Sequence, residues 1–116
     1  MNAYRYIKTE YLDMVSGGDK GVISELVALF SDQVVEFHKQ MEEYLEEHSY
    51  KKLRMIAHKA KSSVAIVGME ALSEKLKRLE LKSDEGNARE AREIVDYFGT
   101  ETTEAIEELK RYIDSL

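Results

Sequence analysis

An apolar stripe that recurs every three or four residues over 19–47 most constrains the fold of this chain. This spacing places the apolar side chains on one face of a continuous α-helix of roughly eight turns. The stripe consists of Ile23, Leu26, Val27, Phe30, Val34, Phe37, Met41, Tyr44 and Leu45. The chain contains no proline that would force an earlier stop. A helix this long and this apolar along one side needs partner helices along its whole length.

Four further segments show the same period, and all five are predicted to be helices. The expected helices span, in chain order, 9–16, 19–47, 50–67, 69–83 and 87–115. Four long helices joined by short turns predict an antiparallel up-down four-helix bundle with a short extra N-terminal helix. This first helix would cover one end of the bundle and bury Tyr11, Leu12 and Val15. We therefore predict an all-α fold and treat residues 1–116 as a single domain.

Capping residues and glycines mark the expected helix ends. Asp19, Ser49 and Asn87 each stand just before a helix, where a side-chain oxygen can accept a hydrogen bond from an otherwise unpaired backbone N–H. Gly68 is expected to end the third helix with a positive φ. Gly99 lies inside the last helix and is expected to weaken or kink it by about 1 kcal/mol relative to alanine.

Composition argues against several classes of function. The chain has no cysteine, which excludes disulfides, thiol catalysis and zinc-thiolate sites. Its formal net charge of −6 argues against nucleic acid as a partner. No apolar run approaches the about 18 residues of a membrane span, and residues 1–6 lack the apolar segment of a signal peptide. The six glycines form no loop that could cradle ATP phosphates. We therefore expect a cytoplasmic protein without a membrane or nucleotide site.

The segment 57–68 carries the candidate chemistry. His58 lies almost opposite the apolar stripe of the third helix, so its imidazole is expected to face water. An unprotonated ring nitrogen can attack an electrophile, and nearby cations would attract a phosphoryl group. The other residues on this face are Lys51, Arg54, Met55, Lys61, Ser62 and Ala65. From the residues alone, an ordinary exposed histidine on a basic helix face is the more frequent explanation.

The same segment resembles the motif of histidine-containing phosphotransfer (HPt) domains, roughly His-x-Leu-Lys-Gly-Ser-x(4)-Gly. The motif's histidine, lysine, serine and closing glycine correspond to His58, Lys61, Ser63 and Gly68. Ala60 replaces the usual leucine, and Ser62 replaces the usual glycine beside the histidine. The Leu79-Glu80 pair also matches a recurring feature of the family.

The resemblance implies that His58 accepts a phosphoryl group from the aspartyl phosphate of one receiver domain and passes it to another. Nε2 is expected to be the nucleophile because it is the more exposed nitrogen of an outward-pointing ring. Lys61 would stabilise the phosphoryl group, and Ser62 would keep the ring accessible. The partner-binding residues would be Lys51, Arg54, Met55, Lys59 and Ala65.

The implied protein is a monomeric phosphocarrier of a phosphorelay rather than an enzyme. Its partners would be the receiver domains of response regulators and a hybrid histidine kinase. It would need no cofactor of its own, since the receiver supplies the magnesium ion. The initial Met1 favours a free-standing protein over an excised domain of a hybrid kinase. The alternative function is a helical interaction module without covalent chemistry.

Two further patterns in the sequence are typical of ordinary structural roles. His38, His48 and His58 are spaced ten residues apart, but none has the glutamate three residues earlier that a bundle di-iron site requires, so no metal is predicted. His38 is expected to be a partly buried packing residue instead. Acidic runs such as Glu107-Glu108 are expected to be solvated helix surface.

Overall fold

The computed structural model describes residues 4–116, and this part of the chain contains five helices and no strand. The helices are α1 Glu10–Ser16, α2 Lys20–Glu46, α3 Tyr50–Ile66, α4 Glu70–Asp84 and α5 Ala88–Ser115. Every end lies within one residue of its predicted position. The all-α prediction is therefore confirmed. None of the helices formed by residues 4–116 is both long and apolar enough to cross a membrane.

The four long helices share one apolar core. α2 packs against α3 and α5, and α4 packs against the same two helices. The core side chains with almost no exposed surface include Leu12, Ile23, Met41, Leu53, Leu76, Leu79, Phe98 and Leu109. Burying one large apolar side chain contributes about 1.5–3 kcal/mol relative to its exposed state. Tertiary packing of the apolar stripes, rather than helix propensity alone, therefore holds these helices in place.

Two of the three predicted N-caps form the expected hydrogen bond. The Asp19 carboxylate accepts from the backbone N–H of Val22 at 3.0 Å, and the Asn87 side chain accepts from that of Glu90 at 3.1 Å. Ser49 does precede α3, but its side chain makes no capping hydrogen bond. The prediction for Ser49 is therefore right in position and wrong in mechanism.

A segment that we call the N-terminal strap, residues 4–8, crosses the end of the bundle where α3 terminates. The backbone N–H of Lys8 donates to the carbonyl oxygen of Val67 at 3.0 Å. Gly68 has the predicted positive φ, at 77°. A Cβ atom at Gly68 would lie 2.5 Å from the Cβ of Lys8 and 2.6 Å from its carbonyl oxygen. Glycine is thus required both for the helix end and for the close approach of the strap.

Glu108 fastens the strap to α5. Its carboxylate accepts hydrogen bonds from the backbone N–H groups of Arg5 and Tyr6, each at 2.7 Å, and of Ile7 at 3.1 Å. Only 5% of the Glu108 surface is exposed. The prediction of a solvated acidic run is therefore wrong at this position, because the strap brings buried N–H groups that need an acceptor.

The short helix α1 buries less than its sequence pattern suggested. Leu12 is fully buried, whereas Tyr11 and Val15 are 45% and 48% exposed. The prediction that Tyr11 and Val15 are buried is wrong. The helix α1 has only seven residues, and its main contacts are with α2. These contacts cover the side of α1 that carries Leu12 and leave Tyr11 and Val15 partly exposed to solvent.

His38 packs between α2 and α5, as predicted for a partly buried residue. Its ring stacks on Phe98 with the ring centroids 6.2 Å apart, and its Nε2 atom is buried. A Cβ atom at Gly99 would lie 2.6 Å from this Nε2. Gly99 therefore makes room for the His38 ring, and α5 continues through it without interruption.

Candidate functional site

His58 projects from the middle of α3, on the side opposite the core. The core side of the helix is formed by Leu53, Ile56, Ala60 and Val64, all buried. His58 falls between these core positions in the helical repeat, and 72% of its side chain is exposed. The predicted outward orientation of the ring is confirmed.

A carboxylate on the neighbouring helix holds the His58 ring. Nδ1 of His58 lies 3.0 Å from Oε1 of Glu80 on α4. The second carboxylate oxygen, Oε2, lies 2.6 Å from Nζ of Lys61. Only 15% of the Glu80 side chain is exposed. One largely enclosed carboxylate therefore bridges the histidine and the lysine of the motif.

This contact assigns different roles to the two ring nitrogens of His58. A carboxylate is an acceptor, so Nδ1 carries the hydrogen that it donates to Glu80. In the neutral ring the other nitrogen, Nε2, then keeps an unshared electron pair. Within residues 4–116, Nδ1 is the ring atom with a hydrogen-bond partner. The nitrogen available for attack from solvent is therefore Nε2.

Glu80 is ionised in this arrangement. Burial alone would raise the pKa of the Glu80 carboxyl, but the hydrogen bonds from Lys61 and His58 and their charges outweigh it. The pKa of Glu80 is consequently below its ordinary value. A full negative charge at neutral pH makes Glu80 a strong acceptor for both partners.

The two cations that lie about one helical turn from His58, Arg54 and Lys61, are both paired with carboxylates on α4. Besides the Lys61–Glu80 pair, Nε of Arg54 lies 3.3 Å from Oδ1 of Asp84. The side chain of Lys61 is 25% exposed, and that of Arg54 is 53% exposed. The structure thus brings Lys61 to the site as predicted, but through Glu80, a partner that the sequence reasoning did not assign to it.

The remaining predicted site residues lie on the exposed side of α3. This group comprises Lys51, Met55, Lys59, Ser62 and Ala65. A shallow depression beside the ring is lined by Arg54, Met55, His58, Lys59 and Glu80. Ala65 lies about two turns further along the helix and lines a different depression, next to Tyr11 and Gly68.

The motif serine has a structural contact away from the ring. The hydroxyl of Ser63 donates to Oε1 of Gln33 on α2 at 3.1 Å, and Ser63 is nearly buried. Ser63 therefore ties α3 to α2, whereas Ser62, the next residue back, faces solvent.

The three histidines have separate surroundings. Their neighbours are Phe98 for His38, Tyr50 for His48 and Glu80 for His58. Within residues 4–116, no three histidine, aspartate or glutamate side chains come together as metal ligands would. The regular spacing in the sequence therefore does not produce a shared site in the described part of the chain.

The fold and the site together define a helical domain with one exposed histidine, His58, whose ring is hydrogen-bonded to a carboxylate on the neighbouring helix. Residues 25–115, most of the chain, match the family model described as Hpt domain, and the chain belongs to this family. Domains of this family are phosphocarrier modules of phosphorelays and interact with receiver domains of response regulators and with kinases. Comparisons with curated proteins and with solved structures gave no match.

Proposed function

We propose that this chain is a phosphorelay intermediate that accepts a phosphoryl group on Nε2 of His58 from one receiver-domain aspartate and passes it to another. The observation that carries the proposal is the hydrogen bond from Nδ1 of His58 to Glu80, at 3.0 Å. It supports the proposal because Nδ1–H is occupied by Glu80, and Nε2 then keeps its electron pair on a side chain that is 72% exposed.

The transfer step requires no further reacting group from this chain. The Nε2 electron pair attacks the phosphorus of the acyl phosphate, the bond between phosphorus and the aspartate oxygen breaks, and the aspartate leaves as a carboxylate. The proton stays on Nδ1, so the phosphorylated ring carries a positive charge. Glu80, ionised and hydrogen-bonded to Nδ1, stabilises this charge as it develops. The reverse attack by a second aspartate returns the ring to its starting state.

Lys61 and Ser62 have supporting roles in this proposal. Nζ of Lys61 is held by Glu80 one turn beyond His58, and its long side chain can turn toward phosphoryl oxygens on Nε2. Ser62 is exposed and small, which leaves space over the ring for a receiver. The magnesium ion of the reaction would be bound by the receiver, and this chain would act as a carrier rather than an enzyme.

The receiver would contact the exposed residues around the ring. The proposed partner-binding set remains Lys51, Arg54, Met55, Lys59 and Ala65. A hybrid histidine kinase would supply the phosphoryl group through its receiver domain. A monomeric protein in the cytoplasm fits this role, because the exposed ring must meet two partners in turn.

An antiparallel up-down arrangement of α2 to α5 is part of the same proposal. Contacts between consecutive helices support it: Ser63 reaches Gln33 on α2, and His58 reaches Glu80 on α4. The intervening turns are only a few residues long, which favours antiparallel neighbours.

Label transfer from phosphorylated receiver domains tests the proposed function. The wild-type protein should acquire an acid-labile, base-stable phosphoryl group, and His58→Gln should acquire none while keeping its helical circular dichroism. His48→Asn is the matched control, because asparagine tolerates the positive φ of 57° at this position. Labelling of His58→Gln at the wild-type level would show that the site assignment is wrong. A wild-type protein that binds receivers but takes up no label would favour the interaction module.

A further inference from the structure

Helix α3 has an unusual charge composition for a helix of this protein. It contains five lysine or arginine residues and no aspartate or glutamate, although the whole chain has a formal net charge of −6. By contrast, α2 has six acidic and two basic residues, and α5 has eight acidic and four basic residues. The helix that carries His58 is thus a positive stripe on an acidic protein.

Internal ion pairs neutralise only part of this stripe. The carboxylates of Glu80 and Asp84 on α4 are already occupied by Lys61 and Arg54. Lys52 forms no ion pair within residues 4–116, but its Nζ lies 5.8 Å from the centroid of the Tyr44 ring on α2. The other two exposed lysines of α3, Lys51 and Lys59, also have no ion-pair partner within this part of the chain.

A further exposed lysine extends the positive surface onto α4. Lys77 precedes Glu80 by three residues and likewise forms no ion pair within the described chain. Positions three apart lie on neighbouring parts of a helix surface, so Lys77 flanks the carboxylate that holds His58. We call Lys51, Lys59 and Lys77 the lysine rim.

We propose that the lysine rim steers and selects a receiver domain whose docking face is acidic. This inference rests on the proposed function and adds to it the chemistry of the partner surface. Charges of one sign around a reactive group raise the rate of encounter with a partner of opposite charge by about 10–1,000-fold at low ionic strength. The rim lysines are exposed, so they act mainly on association and contribute little once the complex has formed.

A protein partner fits the rim better than nucleic acid does. The exposed surface of α3 also contains Met55 and the His58 ring, which interrupt the row of cations. The acidic residues of α2 and α5 would repel a long polyanion that extends beyond the rim. A receiver with a compact acidic face avoids this repulsion, because its negative charges do not extend beyond the lysine rim to α2 and α5.

The test compares two triple variants of equal net charge. The rim variant is Lys51→Gln/Lys59→Gln/Lys77→Gln. The control variant, Lys20→Gln/Arg89→Gln/Lys110→Gln, removes three exposed cations from α2 and α5. The donors are a phosphorylated receiver domain with an acidic docking face and potassium phosphoramidate, a small donor without a docking face. Phosphoramidate phosphorylates a histidine directly, with loss of ammonia as the P–N bond of the donor breaks.

The second-order rate constant of label transfer should fall about tenfold in the rim variant at about 20 mM salt, and the loss should disappear near about 1 M salt. The control variant should stay within about twofold of wild type, since its cations lie away from the docking surface. Phosphoramidate should label His58 in all three proteins. Its rate should fall far less in the rim variant than the rate from the receiver does, because a small anion interacts with fewer of the rim charges.

Three results would overturn the steering role. The first is an unchanged transfer rate in the rim variant, and the second is an equal loss of rate in the control variant. The third is binding of a duplex DNA of about 20 base pairs that needs the rim lysines and weakens with salt as strongly as transfer from the receiver does. In each case phosphoramidate still labels His58, so the proposed function stands. If neither donor labels His58, the proposed function fails, and the steering role fails with it.

Discussion

Glu80 on α4 accepts a hydrogen bond from Nδ1 of His58 on α3 at 3.0 Å, across 22 positions of sequence. The contact joins two helices, orients the imidazole and determines which nitrogen is free. The other oxygen of Glu80 holds Lys61, so the carboxylate also positions the motif lysine. The orientation of the exposed histidine therefore depends on a residue outside its own helix.

Removal of the Glu80 carboxylate should change the tautomer of His58. In Glu80→Ala, the neutral ring should become a mixture of the two tautomers, because Nδ1–H loses its acceptor. Phosphotransfer should slow by about 10–100-fold, as expected for the loss of a residue that orients a reactive side chain. The ¹⁵N chemical shifts of the His58 ring measure the tautomer. Glu74→Ala, an exposed site on the same helix, serves as the control. Unchanged shifts in Glu80→Ala would contradict the positioning role.

The Glu80 interactions should give stability a specific dependence on pH. The pKa of Glu80 is lowered in the folded protein, so its stabilising effect is complete above the ordinary glutamate pKa and is lost as the pH falls through the lowered value. The free energy of unfolding of wild type minus that of Glu80→Gln should therefore stay constant near pH 7 and decrease in acid. Urea denaturation from about pH 7 to about pH 2 measures the difference. An increase of the difference in acid would contradict the assignment.

Bulk at Ser62 should impair transfer more than loss of its hydroxyl. Ser62 is exposed one turn beyond His58, where a long side chain would cover the ring. Ser62→Gly should transfer at a rate close to wild type, and Ser62→Phe should transfer slowly with unchanged circular dichroism. The readout is the transfer rate from a phosphorylated receiver. An inactive Ser62→Gly would show that the hydroxyl takes part in the chemistry.

The close approach of the strap to Gly68 should be visible in stability. Gly68→Ala and Gly86→Ala both place alanine at a positive φ, 77° and 65°, but a Cβ atom at Gly86 meets nothing within 4 Å. Gly86→Ala should therefore cost about 1–2 kcal/mol of conformational strain. Gly68→Ala should cost about 1–3 kcal/mol more, because its Cβ would collide with Lys8. Chemical denaturation of both variants measures their free energies of unfolding. Equal decreases in the two variants would show that the strap moves away from residue 68 without a loss of stability.

Features encoded within one helix could be predicted from the sequence. The apolar spacing and the capping residues Asp19 and Asn87 determined the helix ends, and the position of His58 opposite the stripe determined its exposure. These properties depend on the helical repeat and on neighbours within about four residues. The matching motif also includes Lys61 and Gly68.

Features that depend on contacts between distant segments could not be predicted. Glu108 on α5 is buried because the strap donates backbone hydrogen bonds to it, and the sequence does not indicate that these two segments meet. The sequence predicts a weak point of α5 at Gly99, whereas in the structure Gly99 makes room for the His38 ring. The Leu79-Glu80 pair matched a feature of the family, but the contact of Glu80 with His58 depends on the register of α4 against α3.

The most direct test of the account is the position of the phosphoryl group on the phosphorylated protein. Long-range ¹H–¹⁵N and ³¹P spectra, recorded at basic pH where phosphohistidine is stable, identify the modified nitrogen. We predict a single phosphoryl group on Nε2 of His58, with Nδ1 still hydrogen-bonded to Glu80. A phosphoryl group on Nδ1 of His58, or on His38 or His48, would contradict the account.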